Sequence, residues 1–306
     1  MANFTPTTNS VAIPTVIAQQ VIKKLPSYMG IARFVSKDVD WTGQDFASYG
    51  QTLDIVKPGD LTVQTKTAGT QTTSQAATAT KVSVTLNRHK YIELLQEDIT
   101  KLLQKPDLQA AYADQMAMRL AEDIEAYIYS LHPSITETVT FNTSSEATIE
   151  QSFLKLRERF ALNKVPLSAL KGLFMHPTLM TKILQVSKYT SQDYVQGDVI
   201  EMGALRKIYN IGSFESQLVE PSGSPATYHN IATTKEGFVI ANRPLPLDGN
   251  GKGVRQYNLQ DPNTGLTMRV TEGYSQKDLG TIVTMDLVYG AALCDTTQVI
   301  EVDHAA

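Results

Sequence analysis

One cysteine, Cys294, is all the chain contains. It excludes an internal disulfide and argues against a cysteine-built structural zinc site; following Tyr-Gly-Ala-Ala-Leu, the thiol reads as core filling. No stretch approaches the ~20 continuous apolar residues of a membrane span, so no membrane partner is expected. The start, "MANFTPTTNSVAIPTVIAQQ", lacks the basic residues and apolar core of a secretory signal, and synthesis in the cytosol is the expectation. Basic residues are not in excess: 27 Lys and Arg face 31 Asp and Glu, a net charge of -4 that argues against a general nucleic-acid-binding surface.

Catalytic signatures are equally sparse. The five histidines, His89, His132, His176, His229 and His304, are scattered. None has a second His or a Cys at ligand spacing, so no metal site and no cofactor is expected. His176, ahead of Pro177, reads as a helix-start residue. No Gly-x-Ser-x-Gly elbow gives a hydrolase triad an anchor. The "DGNGKGVR" run from Asp248 to Arg255 fails as a phosphate loop, because Gly253 follows Lys252 where Ser or Thr is needed and the first Gly is missing. It fails as a calcium loop because Lys252 and Leu259 stand where oxygen ligands are required. A turn before a strand is what remains. Asp114, Glu122, Asp123 and Glu125 read as the solvated face of a helix. The Asn3 and Asn142 glycosylation patterns carry little meaning without a secretion signal. No catalytic residue is assigned, and the chain reads as a non-enzyme.

What is present is an ordered series of parts. Residues 1–40 hold too few apolar residues for a core and read as an arm, with one amphipathic helix in "VIAQQVIKKL" and a second apolar patch in "YMGIARFV". Residues 41–92 read as a long β-hairpin. Pro58-Gly59 marks a turn, and Lys81 to Tyr91 alternates like a strand. Between the arms, "DLTVQTKTAGTQTTSQAATATKVSVTL" has no aromatic residue and only Lys66 and Lys81 as charges after Asp60. Its ends, Leu61 and Val63 on one side and Val82, Val84 and Leu86 on the other, alternate; its middle has almost nothing to bury. From residues alone this is either a surface loop or an arm that gains partners elsewhere.

The spacing of Leu108, Tyr112, Met116, Leu120, Ile124 and Ile128 predicts a long helix, with Pro106 in its first turn, Ala113, Ala117 and Ala121 thinning a neighbouring face, and Pro133 after its end. It falls in the segment 93–147. Residues 148–275 alternate between helix and strand: a helix opening on a Thr148–Gln151 capping pattern and burying Ile149, Phe153, Leu156 and Phe160, the buried strand "KGLFM", a helix opened by Pro177, a short helix, a glycine turn and a strand in "IEMGALRKIYNIGSFESQLV", the strand "KEGFVIANRPLPL", and a hairpin across "DPNTG". They read as one compact α/β unit. Residues 276–306 supply two returning strands, expected to pair with the long-helix segment. The fold class is α+β.

This order of parts resembles the major capsid proteins of tailed double-stranded-DNA bacteriophages, the Hong Kong 97-type capsid fold. "IPTVIAQQVIKKLPSYMGIARFVSKD" is similar to the family's N-terminal arm. "GQTLDIVKPGDLTVQT" and "RHKYIELLQEDITK" are similar to the approach to and exit from its extended loop. "DLQAAYADQMAMRLAEDIEAYIYS", with its late Asp123, resembles the spine helix of the peripheral domain, "GALRKIYNIGSFESQLV" with "YHNIATTKEGFVIANRPLP" the axial domain, and "DLVYGAALCDTTQVIEV" the closing strands. The resemblance implies a virion shell subunit, made in the bacterial host's cytoplasm. It would assemble with itself into hexamers and pentamers of an icosahedral head, and would enclose DNA without sequence-specific binding. It also implies a portal and, since no long charged helical region stands ahead of the arm, a separate scaffolding protein. Under it the hairpin is an inter-subunit arm, and Ile13, Val16, Leu61, Val63, Lys66, Lys81 and Val82 are the candidate inter-subunit contacts. Thr and Val suit strand pairing, and polar tips with lysines limit premature edge pairing. Lys57 and Lys66 could serve an isopeptide link, although loop lysines more often solubilise. An encapsulin-like compartment is the alternative. A surface or tail-tube protein and an α/β enzyme are opposed by the missing signal, the long helix and the missing motifs.

Overall fold

The computed structural model describes residues 14–25, 28–37, 52–59, 61–72, 74–76, 78–97, 107–190, 207–219, 221–249, 253–261 and 265–305. Its helices are α1 (Pro14–Lys24), α2 (Ile31–Phe34), α3 (Asp107–Tyr129), α4 (Glu146–Leu162), α5 (Pro177–Leu184) and α6 (Ser187–Thr190). The first strands are β1 (Ser36–Lys37), β2 (Thr52–Pro58), β3 (Ala79–Thr85), β4 (Arg88–Glu97), β5 (Thr138–Thr140), β6 (Lys171–Met175), β7 (Lys207–Ile208) and β8 (Ile211–Glu215). They are followed by β9 (Pro221–Ser222), β10 (Thr227–Thr234), β11 (Phe238–Arg243), β12 (Val254–Gln260), β13 (Thr267–Ser275), β14 (Gly280–Leu293) and β15 (Val299–Ala305). The class is α+β, as the sequence pattern indicates.

Helix α3 runs for 23 residues, about 34 Å at 1.5 Å per residue. Met116, Leu120, Ile124 and Ile128 lie on its buried side together with Ala117 and Ala121, as their spacing predicts. The side chains of Leu108, Tyr112 and Ala113, and all of Pro106, lie outside the described residues. Helix α1 packs along α3. Val21, Ile22, Leu25, Met29, Ile31, Ala32 and Val35 enter the same apolar cluster as the α3 stripe and Val283, Met285, Leu287 and Tyr289 of β14. The arm is therefore too poor in apolar residues to fold alone, yet completes the main core from residue 21 to 35. Burial of each Leu, Ile or Val there is worth ~1.5–3 kcal/mol.

Strand β14, 14 residues long, organises the first sheet. One edge pairs with β13 and then β11, the other with β4; β12 extends the sheet beyond β13, and β1 lies parallel to β11. The second sheet has the order β5-β15-β10-β6-β8-β7, with β9 on β10. Strand β6 is buried throughout, and Ile149, Phe153, Leu156 and Phe160 of α4 cover the sheet. The α4 cap sits earlier than the Thr148–Gln151 pattern indicates. Ser145 is the N-cap and Thr148 is its partner at the third helical position, because Ser145 has the extended backbone a cap requires. The turn from β7 to β8 is made by Tyr209 and Asn210 at φ 48° and 68° rather than by glycine, while the short helix expected before it lies outside the described residues.

The two sheets do not follow chain order. Strands β11 to β13, within the 148–275 segment, share a sheet with β4 and β14, and β15, from the 276–306 segment, pairs with β10 and β5. The reason is a double crossover. The connector after β10 and the connector after β14 pass between the sheets side by side: Cys294 and Asp295 both donate backbone N–H to Gly237 O, at 2.8 and 3.2 Å. A Cβ at Gly237 would overlap the Thr233 and Val299 side chains, which is why glycine stands there.

Candidate assembly surfaces

The hairpin divides into an anchored stem and a bare tip. In the stem, β2 and β3 pair antiparallel with Leu53 opposite Val84 and Ile55 opposite Val82. Leu53, Ile55 and Val84 are buried against Val239, Ala241 and Cys294. On the outer face Lys81 Nζ pairs with Asp54 at 2.6 Å, and Ser83 Oγ donates to Asp54 at 2.7 Å. Both bonds hold the Asp54 carboxyl below its usual range, the Lys81 bond most. Lys57 Nζ reaches Asp295 at 2.5 Å and ties the stem to the crossover. Burial works against the Asp295 charge, but the Lys57 and Thr297 bonds outweigh it and its carboxyl lies below the usual range. That pairing occupies Lys57, which the sequence reading held open for a covalent link.

The alternation from Lys81 to Tyr91 is not one strand. It breaks at Leu86–Asn87, where β3 leaves the hairpin and β4 joins β14. The chain there passes so close to β14 that a Cβ at Gly290 would run into the Thr85 carbonyl.

Pairing also stops sooner than Leu61 and Val63 suggest. After Pro58 the last ladder-like contact among the described residues is Gly59 N–H to Thr78 O at 2.7 Å. Leu61 and Val63 are then 72% and 101% exposed, and Lys66 is exposed too. The Gln75 side chain stands in for a strand partner: its Oε1 accepts from Thr62 N at 3.0 Å and its Nε2 donates to Thr62 O at 2.5 Å. A turn at Thr67–Thr70, with Gly69 at φ 87°, closes the tip. Of the remaining candidate contact residues, Lys81 is exposed and Val82 half-buried in the stem. Ile13 and the Val16 side chain lie outside the described residues.

Two constellations escaped the sequence reading. Glu125, taken for part of a solvated face, is 3% exposed. Its Oε1 accepts the backbone N–H of Gly30 at 2.6 Å and of Ala32 at 2.9 Å, holding the arm at the first turn of α2. Burial raises its carboxyl above the usual range, with those N–H donors acting in the opposite sense. The signal was in the spacing: Ala121, Ile124, Glu125 and Ile128 form one helical stripe. Asp123 is likewise engaged, accepting from Tyr289 Oη at 2.6 Å and pairing with Lys90 at 3.0 Å. Secondly, the scattered histidines converge. His132, His229 and Glu301 bring their ligand atoms within 4.8 Å of one another.

A third polar group is structural. Asn230 and His304 are wholly buried; Asn230 Nδ2 donates to His304 Nδ1 at 2.9 Å, and His304 Nε2 meets Thr178 Oγ1 at 2.9 Å. Burial pushes the His304 ring down to about 4, so it stays neutral. His176 caps α5 by accepting from Thr178 N, the helix-start role its position before Pro177 predicts. An open groove of about 540 Å³ between β5 and α4 is lined by Lys155, Glu158 and Arg159, and carries no nucleophile–base pair.

A two-sheet α+β body carrying a long helix, an apposed N-terminal arm and a projecting hairpin is the Hong Kong 97-type capsid fold. Solved structures share it. The chain aligns with one of Mycobacterium phage Che8 over 90% of both chains, at 18% identity and a TM-score of 0.64. It aligns with the capsid structure of cyanophage P-SCSP1u over 90% of this chain and 86% of that one, at 12% identity and a TM-score of 0.62. A virus-like particle from Pyrococcus furiosus matches over 94% and 98%, at 9% identity and a TM-score of 0.52. No protein-family profile matches the chain. No curated protein sequence matches it either.

Proposed function

We propose that the chain is the major capsid protein of a tailed bacteriophage, assembling with itself into hexamers and pentamers of an icosahedral head that encloses double-stranded DNA. The observation that carries this reading is the hairpin. Its stem is anchored by burial and by the Lys57–Asp295 pair, while its tip presents Leu61 and Val63 exposed, with no partner among the described residues. A segment held out from the body in this way is suited to pairing with another chain. The fold likeness to phage capsid structures across nine-tenths of the chain supports the same role. The polar outer face of the stem, with its Asp54–Lys81 pair, keeps the free subunit from pairing too early. The net charge of -4 suits a container that encloses DNA without adhering to its phosphates. A separate scaffolding protein and a portal are the expected partners, and the finished virion the expected location.

Electron microscopy of purified protein, alone and with the products of neighbouring genes, tests the reading. Closed shells with five-fold and six-fold clusters support it, and a persistent monomer with every neighbouring product overturns it. The likeness to a virus-like particle from Pyrococcus furiosus favours one second reading, a protein-shell compartment of the encapsulin kind. Terminase and portal genes beside this one support the phage head, and a cargo-enzyme gene the compartment.

A further inference from the structure

We propose that His132, His229 and Glu301, with Asp303 beside them, form a binding site for one divalent transition-metal ion of the zinc class. The site lies where the segment following α3 meets the second sheet. His132 comes from the 3-10 turn His132–Ser134, His229 from β10, and Glu301 and Asp303 from β15. The antiparallel register sets His229 opposite Asp303 and Ile231 opposite Glu301, so all three polar side chains share one face of the sheet.

The donor atoms already point at one another. Glu301 Oε1 lies 3.0 Å from His132 Nδ1 and 2.7 Å from His229 Nδ1, and Asp303 Oδ1 lies 2.8 Å from His229 Nδ1. The two imidazoles stack with centroids 4.4 Å apart and planes 12° apart. His229 Nε2 is engaged by Ser222 Oγ at 2.5 Å. The Ser222 hydroxyl can serve either tautomer of His229: accepting from Nε2–H it frees the Nδ1 lone pair for a cation, and donating to Nε2 it leaves Nδ1–H bonded to the carboxylates in the ion-free site. One divalent ion gives both Nδ1 lone pairs and the carboxylates a common partner, leaves the rings neutral, and cancels the charges of Glu301 and Asp303. Ser222 then holds the outer nitrogen, as hydrogen-bond partners of ligating histidines do.

Two imidazole nitrogens with carboxylate oxygens suit zinc and its late first-row neighbours better than magnesium or calcium, which take oxygen ligands. Tetrahedral donors at about 2.0–2.2 Å from a metal stand about 3.3–3.6 Å apart, so donors now 2.7–3.0 Å apart must separate by roughly half an ångström. Side-chain exposures of 29% for His132 and 16% for His229 leave the ion a path from solvent. A bound ion would pin the turn after the long helix to the sheet.

The test uses the untagged full chain, stripped with chelator and titrated with zinc, cobalt(II) or magnesium. One zinc per chain by calorimetry, a rise of several degrees in the unfolding midpoint that chelator reverses, and a visible cobalt spectrum of imidazole coordination are expected, with no response to magnesium. His132→Ala and His229→Ala should each weaken zinc binding by about tenfold or more. Absence of stoichiometric binding, an equal response to magnesium, or zinc affinity unchanged in both variants overturns the proposal. Should His229→Ala fail to fold, the more exposed His132→Ala decides, and the wild-type cobalt spectrum depends on neither variant.

Discussion

Ala32 donates its backbone N–H to Glu125 Oε1 at 2.9 Å across 93 residues of sequence. Together with the Gly30 bond it fastens the arm to the long helix through a buried carboxyl, and this makes arm docking sensitive to pH. The folded-state proton affinity of Glu125 is raised, so its contribution is greatest below the ordinary carboxylate range and is lost as pH rises through the folded value. Glu125→Gln keeps the acceptor and removes the charge. Its stability relative to wild type, measured by urea unfolding, should improve as pH rises from acid to neutral. Glu125→Ala strands two N–H donors at roughly 1–3 kcal/mol each and should be less stable at every pH. A pH-independent difference between Gln variant and wild type would contradict this assignment.

Leu120 is 3% exposed in the stripe that α3 turns to the core. Leu120→Asp buries an unpaired charge and should cost several kcal/mol, enough to leave little soluble folded subunit. Circular dichroism and solubility of the variant decide it. A normally folded, soluble Leu120→Asp chain would mean that the helix faces another way.

Trypsin should distinguish the two parts of the hairpin. Lys66 sits in the bare tip, whereas Lys81 is held in β3 opposite Val56 and paired with Asp54. In the free subunit Lys66 should be cut first and Lys81 much later, with α3 left whole. In assembled shells at equal protease and protein concentration, the Lys66 cut should be strongly suppressed. Equal rates in both states would sink the inter-subunit reading of the tip.

Gly290 faces the Thr85 carbonyl too closely for any side chain. Gly290→Ala must push the hairpin stem off β14, at about 1–3 kcal/mol. The loosened stem should expose Lys81 to trypsin sooner than in wild type, while Lys66 cleavage stays unchanged. Unaltered cleavage at Lys81 would show that the stem is anchored by its other contacts alone.

Local periodicity makes much of the fold legible in the sequence. The α3 stripe, the α4 face and the β12–β13 hairpin each follow from spacing within one element, because side-chain direction repeats with the backbone. Sheet membership did not follow. A three-residue connector that turns a hairpin and one that crosses between sheets look alike in composition, so the residues between β10 and β11 gave no sign that the chain changes sheet. Spacing alone puts Glu125 on the buried stripe of α3, but its partners are backbone N–H groups, which leave no trace in side-chain sequence. The histidine cluster was invisible for a related reason: His132, His229 and Glu301 meet only after β10 and β15 have paired. Thr148 was mistaken for a cap because Ser145 and Thr148 both fit one; only the backbone angle at Ser145 tells them apart.

The paired crossover at Gly237 and Cys294 acts as a hinge pin. Two chain segments hydrogen-bonded to each other resist twisting of one sheet against the other, since torsion would shear both Gly237 bonds at once. Bending about the line they define changes only a few connector angles. The hairpin stem rests on that same line through Cys294 and the Lys57–Asp295 pair. From there the tip reaches outward over roughly ten residues, about 30 Å when extended. A few degrees of flexure at the pin thus become about 1–2 Å of travel at Leu61 and Val63 and somewhat more at the end of the tip. In a shell of the proposed kind, one sequence would then be able to aim its arm differently where the surface curves sharply and where it curves gently.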